Sequence, residues 1–516
     1  MIIPPFRNEP SLDFSKAANR SDFAAALRLV HDRLGRSYPL LIGGSEVGTD
    51  SWVESFNPAH PGELVGRHAA AGREQVELAV AAGWAAFEEW SRTPLAQRAE
   101  LLLRAAQVIR RRRHELGALM VYEVGKPWDE ADGEAAEAVD LMEWYARQAL
   151  ELPARDRMAP NPGEITQFRY LPLGVGAVIS PWNFPLALTT GMMTAALVAG
   201  NCVILKPAET ASTTAAWLVE ILSDLGLPPG VINLLSGRGE VVGEALVDHP
   251  QIRFVAFTGS REVGVRIYQR ASVVHPGQRW LKRVQLEMGG KNAVVVDETA
   301  DLDLAAQEIA LSAFGFQGQK CSAGSRAVVV GSVYDDLVGR VLERTERIRC
   351  GDPVDPEVTL GPVIDGDAEE KILDYIQIGR GEGDLLRGGG RVSGEGRFIE
   401  PTIFGGVAPD ARIAQEEIFG PVLAVIRARD FEDGIRIANS TDYGLTGSYF
   451  SRDPERLAFA RDHLHVGNLY LNRRSTGALM GVHPFGGFNM SGTDTKAGGP
   501  DYLLFFLQGQ SVAERL

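Results

Sequence analysis

Cys321 stands among glycine and small polar residues, a setting unlike that of an ordinary buried cysteine. Residues 314–326 read FGFQGQKCSAGSR, whereas Cys202 lies in the apolar run NCVIL. Small neighbours let a substrate approach the sulfur, and the adjacent Lys320 could favour the nucleophilic thiolate. An isolated cysteine is nevertheless more often a packing residue than a nucleophile. Both interpretations of Cys321 are open from this stretch alone.

Glu287 and Asn183 could supply the base and the oxyanion donor that such a nucleophile needs. Glu287 ends the run VQLE, and a carboxylate at the carboxyl end of an α/β strand is well placed to activate water against a covalent intermediate. Asn183 lies in SPWNFP, where its amide could donate to a developing oxyanion. Taken singly, Glu287 is more readily interpreted as a salt-bridge or helix-dipole partner. Asn183 alone is more readily interpreted as an Asx-turn residue.

Three further segments indicate a dinucleotide. LKPAE places Lys206 and Glu209 after a strand, where the carboxylate can accept hydrogen bonds from ribose hydroxyls and repel a 2′-phosphate, which favours NAD over NADP. FTGSREVG, residues 257–264, opens a helix whose N–H groups could meet a pyrophosphate, although GSxxxG is a weaker pattern than GxGxxG. QEEIFGPV offers Glu417 as another ribose acceptor and Phe419 as a packing residue near the nicotinamide.

Alternating strand and helix patterns from residue 175 onward predict how these segments are positioned. Apolar runs at VGAVIS, CVILKP, VINLLS, FVAFTG and VQLEMGG alternate with helical stretches such as STTAAWLVEILSDLG, GEVVGEALVDH and SREVGVRIYQRA. This pattern predicts a doubly wound parallel sheet of the Rossmann-like class, with ligands at the carboxyl ends of its strands. A second α/β block begins at residue 292, and Cys321 follows its first long helix. Residues 164–174 and 491–516 fit neither block, and either an arm paired with another subunit or an edge hairpin suits them.

The composition is that of an ordinary globular protein, and the charge disfavours some partners. Of 516 residues, 45% are apolar, and 52 basic against 67 acidic residues give a net charge of −15. Nucleic acid or an anionic membrane would require a basic face, so neither is an expected partner. The three cysteines lack disulfide spacing and no secretory signal is evident, so we expect a cytoplasmic protein. No HExxH or Cys/His cluster predicts a metal site, and only eight of the 52 basic residues are lysines.

Seven motifs in a fixed order resemble one family. PWNFP, KPAE, FTGS, LEMGGK, GQKCSAGSR, EEIFGPV and PFGG together are similar to the NAD(P)-dependent aldehyde dehydrogenase superfamily, from residue 39 to the C-terminus. The resemblance implies that Cys321 attacks an aldehyde and that Asn183 and the Cys321 N–H hold the oxyanion. Glu287 would then activate the water that hydrolyses a thioester. The implied contacts with NAD are Ser180, Pro181, Trp182, Lys206, Glu209, Gly243, Thr258, Gly259, Ser260, Glu417 and Phe419.

The same resemblance implies an α/β aldehyde dehydrogenase fold of three parts. These are a Rossmann-like NAD-binding domain, an α/β catalytic domain and a small β oligomerisation arm. The expected boundaries are 1–155 and 174–286 for the NAD-binding domain, 287–490 for the catalytic domain, and 156–173 with 491–516 for the arm. Family members are dimers or assemblies of dimers, so we expect a homo-oligomer, either a dimer or a hexamer built as a trimer of dimers.

GQKCSA and residues 475–503 resemble one branch of the family in particular. That branch oxidises L-glutamate γ-semialdehyde, formed from 1-pyrroline-5-carboxylate, to L-glutamate in proline catabolism, downstream of a separate proline dehydrogenase. The implied substrate contacts are Phe184, Lys320, Ser322, Gly477, Ala478 and Phe485. A serine hydroxyl and two backbone N–H groups would bind the α-carboxylate, and the phenylalanines would pack on the aliphatic part of the substrate.

Other interpretations stay open at this point. The segment around Gly477 could be a tight turn without a binding role. Arg326 and Arg473 could hold the distal carboxylate of another short semialdehyde, such as succinate semialdehyde. A non-catalytic NAD-binding protein of the same fold would not need the three catalytic residues together, and CoA-acylating relatives typically lack the water-activating glutamate.

Overall fold

The computed structural model describes residues 4–155 and 158–516. Residues 1–3, where the predicted NAD-binding domain begins, and residues 156 and 157, where the predicted arm begins, lie outside the described residues. The described chain forms two large sheets covered by helices, together with three smaller sheets.

The helices largely follow the amphipathic stretches of the sequence. They are α1 (Ala17–His31), α2 (Arg73–Trp90), α3 (Leu95–Arg111), α4 (Arg113–Val124), α5 (Trp128–Glu151), α6 (Ala187–Val198), α7 (Ser212–Asp224), α8 (Glu244–Asp248), α9 (Arg261–Ala271), α10 (Leu302–Phe314), α11 (Tyr334–Thr345), α12 (Gly366–Glu382), α13 (Arg412–Gln415), α14 (Phe431–Ala438) and α15 (Pro454–His463). GEVVGEALVDH departs from the prediction of one helix, since it forms a π-helical turn at Gly239–Gly243 and then the short α8. Glycine at both ends of that turn disfavours a regular helix.

The strands are short and mostly parallel. They are β1 (Arg36–Tyr38), β2 (Leu40–Ile42), β3 (Ser45–Val47), β4 (Trp52–Phe56), β5 (Leu64–Ala69), β6 (Glu164–Pro172), β7 (Val175–Ile179), β8 (Cys202–Lys206), β9 (Ile232–Leu234), β10 (Phe254–Thr258), β11 (Arg283–Glu287), β12 (Ala293–Val296), β13 (Arg326–Val330), β14 (Asp384–Arg387), β15 (Thr402–Gly405), β16 (Val422–Ala428), β17 (Tyr443–Gly444), β18 (Thr446–Phe450), β19 (Asn468–Leu471), β20 (Phe488–Asn489) and β21 (Leu507–Arg515).

The first large sheet has the strand order β11-β10-β7-β8-β9-β2-β3. Strands β7 to β11 pair in parallel, and β2 and β3 add an antiparallel edge. Because β7, β8 and β10 are buried along their whole length, helices must cover both faces. The predicted doubly wound sheet is confirmed.

The order of strand addition reverses between β7 and β10, which is where doubly wound sheets bind ligands. Strands β7, β8 and β9 extend in one direction, and β10 and β11 are added on the other side of β7. Ser180, Lys206, Thr258 and Glu287 stand at the carboxyl ends of these strands, and the pairing sets Thr258 directly beside Glu287. Candidate cofactor and catalytic residues therefore share one edge of the sheet.

The second large sheet has the order β14-β15-β16-β13-β12-β18-β19 and is parallel except at β14. Its first strand along the chain, β12, leads into α10, which Asp301 caps by accepting from the Leu304 N–H at 3.2 Å. Gly315 follows α10 and begins the loop that carries Cys321. The nucleophile candidate thus projects from the second block toward the edge of the first.

The two segments that fit neither block pair with each other. Strands β6 and β21 run antiparallel, from Leu507 opposite Pro172 to Arg515 opposite Glu164. The chain therefore closes this two-stranded sheet itself, and a contact of the sheet with another subunit stays a prediction. Elsewhere in the described ranges, no helix combines the length and apolar character that crossing a membrane requires.

Candidate active site

Side chains and carbonyls from outside the Cys321 loop hold its backbone. Asn292 donates through Nδ2 to the Cys321 carbonyl at 2.7 Å and to the Ala323 carbonyl at 2.8 Å. Gly318 has a φ of 68°, and a Cβ there would lie 2.7 Å from the Gly420 carbonyl carbon. Only glycine tolerates that close approach and that conformation, so the turn that presents the sulfur is rigidly specified.

Asn183 lies against the same loop. Its Nδ2 is buried and donates to the Gln319 carbonyl at 3.0 Å, two residues before Cys321. Gln319 is held in turn, because its Oε1 accepts from the Ile364 N–H at 3.0 Å. A primary amide nitrogen carries two hydrogens, so one is left for an oxyanion formed at the sulfur.

The Cys321 thiol is protonated at neutral pH in this structure. Burial, followed by the nearby carboxylates of Glu287 and Glu417, raises its pKa to about 12. The prediction that Lys320 favours the thiolate is wrong, because Lys320 Nζ pairs with Glu130 Oε1 at 2.6 Å and its charge is taken up there. The sulfur therefore needs a base to become a nucleophile.

Glu287 is suited to that task. It is buried, and neither carboxyl oxygen accepts a hydrogen bond of ordinary geometry from the residues that the structure describes. Burial raises the pKa of this carboxyl well above its usual range, and the Lys496 ammonium partly opposes the shift. A carboxyl group that acts electrostatically on Cys321 and titrates at a raised pH can serve as general base.

The C-terminal segment clamps the strand end that carries Glu287. Thr493 Oγ1 accepts from the Leu286 N–H at 2.9 Å, and the Thr493 N–H donates to the Leu286 carbonyl at 3.0 Å. The Met288 N–H donates to the Ser491 carbonyl at 2.8 Å. The residues on both sides of Glu287 are thereby fixed to a segment about two hundred positions away.

Lys496 comes from the same segment and lies beside Glu287. Its Nζ donates to the Gly467 carbonyl at 2.9 Å and to the Gly486 carbonyl. A Cβ added to Gly486 would lie 3.0 Å from Glu287 Oε1 and 3.3 Å from Lys496 Cδ, so the two side chains approach each other over this glycine. The lysine thus places a cation next to the candidate base.

Lys206 and Glu209 meet at the carboxyl end of β8. Lys206 Nζ lies 3.7 Å from Glu209 Oε1, and that oxygen also accepts from the Gly239 N–H at 2.9 Å. Burial lowers the pKa of Lys206, and Glu209 opposes the shift. The Glu209 side chain is 41% exposed, so it remains accessible to a ribose hydroxyl.

The N-terminus of α9 opens at the same edge. Ser260 caps the helix, its Oγ accepting from the Val263 N–H at 3.3 Å, and Thr258 and Gly259 form the turn before it. A Cβ on Gly243, at the junction of the π-helical turn and α8, would meet nothing within 4 Å. Helix N–H groups next to open space are suited to a pyrophosphate.

The connection from β7 to Asn183 consists of Ser180, Pro181 and Trp182, which differ in how available they are to a cofactor. The Ser180 hydroxyl accepts from Thr189 Oγ1 at 2.8 Å, so it is already used within the protein. Pro181 follows as part of the turn, and the Trp182 ring packs edge-on against the Phe419 ring, with centroids 5.7 Å apart. Nearby, Glu417 Oε1 accepts from the Gly290 N–H at 3.0 Å.

Taken together, these groups fit a nicotinamide dinucleotide. The strand order reverses between β7 and β10, and the candidate groups surround that point. They are a buried lysine, carboxylates that are buried or partly exposed, and a capped helix N-terminus, which are the partners that ribose and pyrophosphate need. In residues 4–155 and 158–516, no group of three or more His, Cys, Asp or Glu residues is arranged to hold a metal ion.

The candidate substrate residues lie on loops next to Cys321. Ser475 Oγ donates to the Ser322 carbonyl at 3.0 Å, which sets the loop of Gly477 and Ala478 beside the nucleophile. Gly477 has a φ of 75° and its carbonyl accepts from Arg473. The other candidates flank this loop: Phe184 follows Asn183, Lys320 precedes Cys321, and Phe485 is fixed by two backbone hydrogen bonds with Ala497, at 2.8 and 2.7 Å.

Arg326 does not face the substrate. It is buried, and its guanidinium donates to the carbonyls of Lys291 at 2.9 Å, Ile437 at 3.0 Å and Ala438 at 2.7 Å. The interpretation that Arg326 holds the distal carboxylate of a semialdehyde is therefore wrong, because its donors tie backbone segments together.

Several site residues were not predicted from the sequence. Four of them act on residues distant along the chain: Asn292 on Cys321, Lys496 on Glu287, Lys126 on Phe184 and Glu134 on Leu186. The scarcity of lysine was the one feature of the sequence that could have pointed to the lysines among them. Five of the eight lysines lie around this site, namely Lys126, Lys206, Lys291, Lys320 and Lys496.

A known family shares this fold and site. A model of the aldehyde dehydrogenase family matches residues 46–512, and the chain belongs to that family. The predicted aldehyde dehydrogenase fold is confirmed.

Its relatives match over the full length of the chain. A curated 1-pyrroline-5-carboxylate dehydrogenase from Geobacillus kaustophilus (strain HTA426) is 55% identical over 513 residues, covering 99% of this chain and 100% of the relative. A crystal structure of 1-pyrroline-5-carboxylate dehydrogenase from Thermus with bound NAD is 52% identical and has a TM-score of 0.98, with both chains fully covered. Proline utilization A (PutA) from Bdellovibrio bacteriovorus is 46% identical with a TM-score of 0.97, and the match covers 99% of this chain and 54% of that longer one.

Proposed function

We propose that this protein is an NAD-dependent dehydrogenase that oxidises L-glutamate γ-semialdehyde, the open form of 1-pyrroline-5-carboxylate, to L-glutamate in proline catabolism. The observation that carries the proposal is the convergence of Cys321, Asn183 and Glu287 beside the dinucleotide-binding elements at one sheet edge. Relatives named for 1-pyrroline-5-carboxylate, one of them with bound NAD, support it.

The proposed reaction proceeds through an acyl group on Cys321. The sulfur attacks the aldehyde carbon as its proton leaves to Glu287, and Asn183 Nδ2 and the Cys321 N–H donate to the oxyanion. Bound NAD supplies the hydride acceptor, and collapse of the oxyanion leaves a thioester on sulfur. Once its proton has passed to solvent, Glu287 takes one from water, whose oxygen attacks the acyl carbon. The C–S bond then breaks and glutamate leaves.

Substrate choice would depend on the loops beside the nucleophile. The Ser322 hydroxyl and the N–H groups of Gly477 and Ala478 would bind the α-carboxylate, while Phe184 and Phe485 would pack on the aliphatic chain. The bond from Ser475 to the Ser322 carbonyl supports this arrangement, because it holds the two loops together. Lys320, neutralised by Glu130, would line the same pocket.

NADH formation with pyrroline-5-carboxylate, beside succinate semialdehyde and acetaldehyde, tests the proposal. We expect a strong preference for pyrroline-5-carboxylate that is lost in Cys321→Ser. Cys350→Ser, at a partly buried cysteine whose Sγ faces the Ile399 carbonyl, is the matched control and should retain activity. A preference for another aldehyde would overturn the substrate, and activity that survives in Cys321→Ser would overturn the mechanism.

We also propose that the chain works as a cytoplasmic homo-oligomer of the three domains predicted from its sequence. The exposed, strand-built arm formed by β6 and β21 supports this, since an open strand pair is a ready surface for a second subunit. Its semialdehyde would come from a separate proline dehydrogenase.

A further inference from the structure

A buried lysine occupies the short connection between α4 and α5. Lys126 Nζ lies 2.7 Å from Glu134 Oε2, and both side chains are fully buried. The two groups therefore form a buried ion pair. Burial lowers the pKa of Lys126, and the carboxylates of Glu134 and Glu130 oppose that shift.

Two aromatic rings receive this cation. Lys126 Nζ lies 3.7 Å from the centroid of the Phe184 ring and 4.1 Å from that of the Phe316 ring. The rings stand edge-on to each other, with centroids 6.1 Å apart and an interplanar angle of 82°. A desolvated cation over a ring is attracted by its quadrupole, so one ammonium fixes both rings.

The same connection contacts the two loops that build the active site. Phe184 follows Asn183, and Glu134 Oε1 accepts from the next two N–H groups along that segment, Leu186 at 2.8 Å and Ala187 at 3.0 Å. Phe316 belongs to the Cys321 loop, and its neighbour Gln317 donates through Nε2 to the carbonyl of Gly125 at 2.9 Å. The connection therefore aligns the oxyanion-donor segment with the nucleophile loop.

We propose that Lys126, held by Glu134, is a positioning residue that orients the Phe184 and Phe316 rings and thereby sets the affinity of the pocket for its aldehyde. The inference rests on the proposed function, because it takes the space between Phe184 and Cys321 to hold the aldehyde. Lys126 touches neither the sulfur nor the reacting carbon and acts through the rings.

Lys126→Met tests the proposal, because it keeps the length of the side chain and removes the charge. We expect the KM for the aldehyde to rise about tenfold, the order expected for a lost desolvated cation–π contact, while kcat and the KM for NAD change little. The single variant also leaves Glu134 unpaired and buried, so its unfolding temperature should fall. The double variant Lys126→Met/Glu134→Gln retains the acceptor for Leu186 and Ala187 and should recover the unfolding temperature but keep the raised KM.

Arg113→Met is the matched control. Arg113, the first residue of α4, pairs with Asp132 of α5, the helix that also carries Glu134, and both side chains are buried. The loss of Arg113 should lower the unfolding temperature without changing the KM for the aldehyde. An unchanged KM in folded Lys126→Met, or a double variant that recovers both stability and KM, would overturn the proposal. The parent's turnover of pyrroline-5-carboxylate tests the proposed function separately. If the parent prefers another aldehyde, the KM of each variant is compared with that of the parent for that aldehyde.

Discussion

Cys321 and Glu287 both hold their protons more tightly than free cysteine and glutamate do. Burial is the main cause for each, and the nearby Glu287 carboxylate further raises the pKa of the Cys321 thiol, since two anions would stand close together. The reaction therefore depends on groups that favour the anions. In the proposed reaction, Asn183 would donate to the oxyanion that forms from the aldehyde. The Lys496 ammonium opposes the rise in the pKa of Glu287.

Thioester hydrolysis should become faster as pH rises through the raised pKa of Glu287, because only the ionised carboxylate can take a proton from water. Lys496→Met removes the cation that lowers this pKa, so the ascending limb of the kcat–pH profile should move to higher pH. Steady-state turnover at saturating substrate across a pH series measures the shift.

Lys16→Met, at an exposed lysine whose charge lies beside Asp13, is the control and should leave the profile unchanged. An unshifted limb in Lys496→Met, with NADH formation in the first turnover intact, would show that Lys496 does not act on the base.

The catalytic residues could be predicted from the sequence, but their supports could not. Cys321, Glu287 and Asn183 stand at strand ends and in small-residue turns, which are local features of the sequence. Asn292 and Lys126 act on residues 29 and more positions away, and nothing in the neighbouring sequence specifies such contacts. The prediction for Lys320 failed for the same reason, because its partner Glu130 lies 190 residues away.

At the scale of elements, the carboxyl ends of β7, β8, β10 and β11 organise the site. The continuous apolar runs of β7, β8 and β10 made those three strands predictable, because strands buried on both faces have few polar residues. The C-terminal segment was less predictable. Its hydrogen bonds to β11 join Thr493 to Leu286, which are 207 residues apart, and the sequence of neither segment is regular enough to indicate the pairing.

Thr493→Val should weaken this clamp. Valine keeps the shape of threonine but leaves the Leu286 N–H without its acceptor, at a cost of about 1–3 kcal/mol in stability. The unfolding temperature should fall, and both NADH formation in the first turnover and thioester hydrolysis should slow, because Glu287 is the proposed base for both steps. Thr49→Val, at a half-buried threonine whose Oγ1 donates to the Ser51 carbonyl, is the control. Unchanged rates of both steps in folded Thr493→Val would contradict an effect of the clamp on Glu287.

At the scale of the whole molecule, two doubly covered sheets face each other across the site, and each supplies one part of the chemistry. The first sheet carries most of the candidate dinucleotide residues together with Asn183 and Glu287. The second presents Cys321 and also carries Glu417 and Phe419. Their division into two blocks was readable from the two runs of strand–helix alternation. The sequence could not decide whether residues 164–174 and 491–516 form an arm paired with another subunit or an edge hairpin, since both interpretations used the same residues.

The quaternary prediction belongs to this scale. The subunit has a mass of 55.9 kDa, and light scattering after size exclusion should give at least twice that value. Deleting residues 507–516, which form β21, should lower the mass by leaving β6 without its partner strand. A monomer for the full chain at all concentrations would contradict the proposed arm.

The central claim is that Cys321 carries an acyl group whose release depends on Glu287. Rapid mixing of Glu287→Gln with NAD and pyrroline-5-carboxylate tests it most directly. The account predicts that NADH still forms in the first turnover, more slowly than in the parent because Glu287 also takes the thiol proton. Later turnover should slow further, on the order of 10²–10⁴-fold, and the Cys321 peptide should gain the mass of one acyl group. Turnover at the parent rate, or an acyl group on another residue, would contradict it.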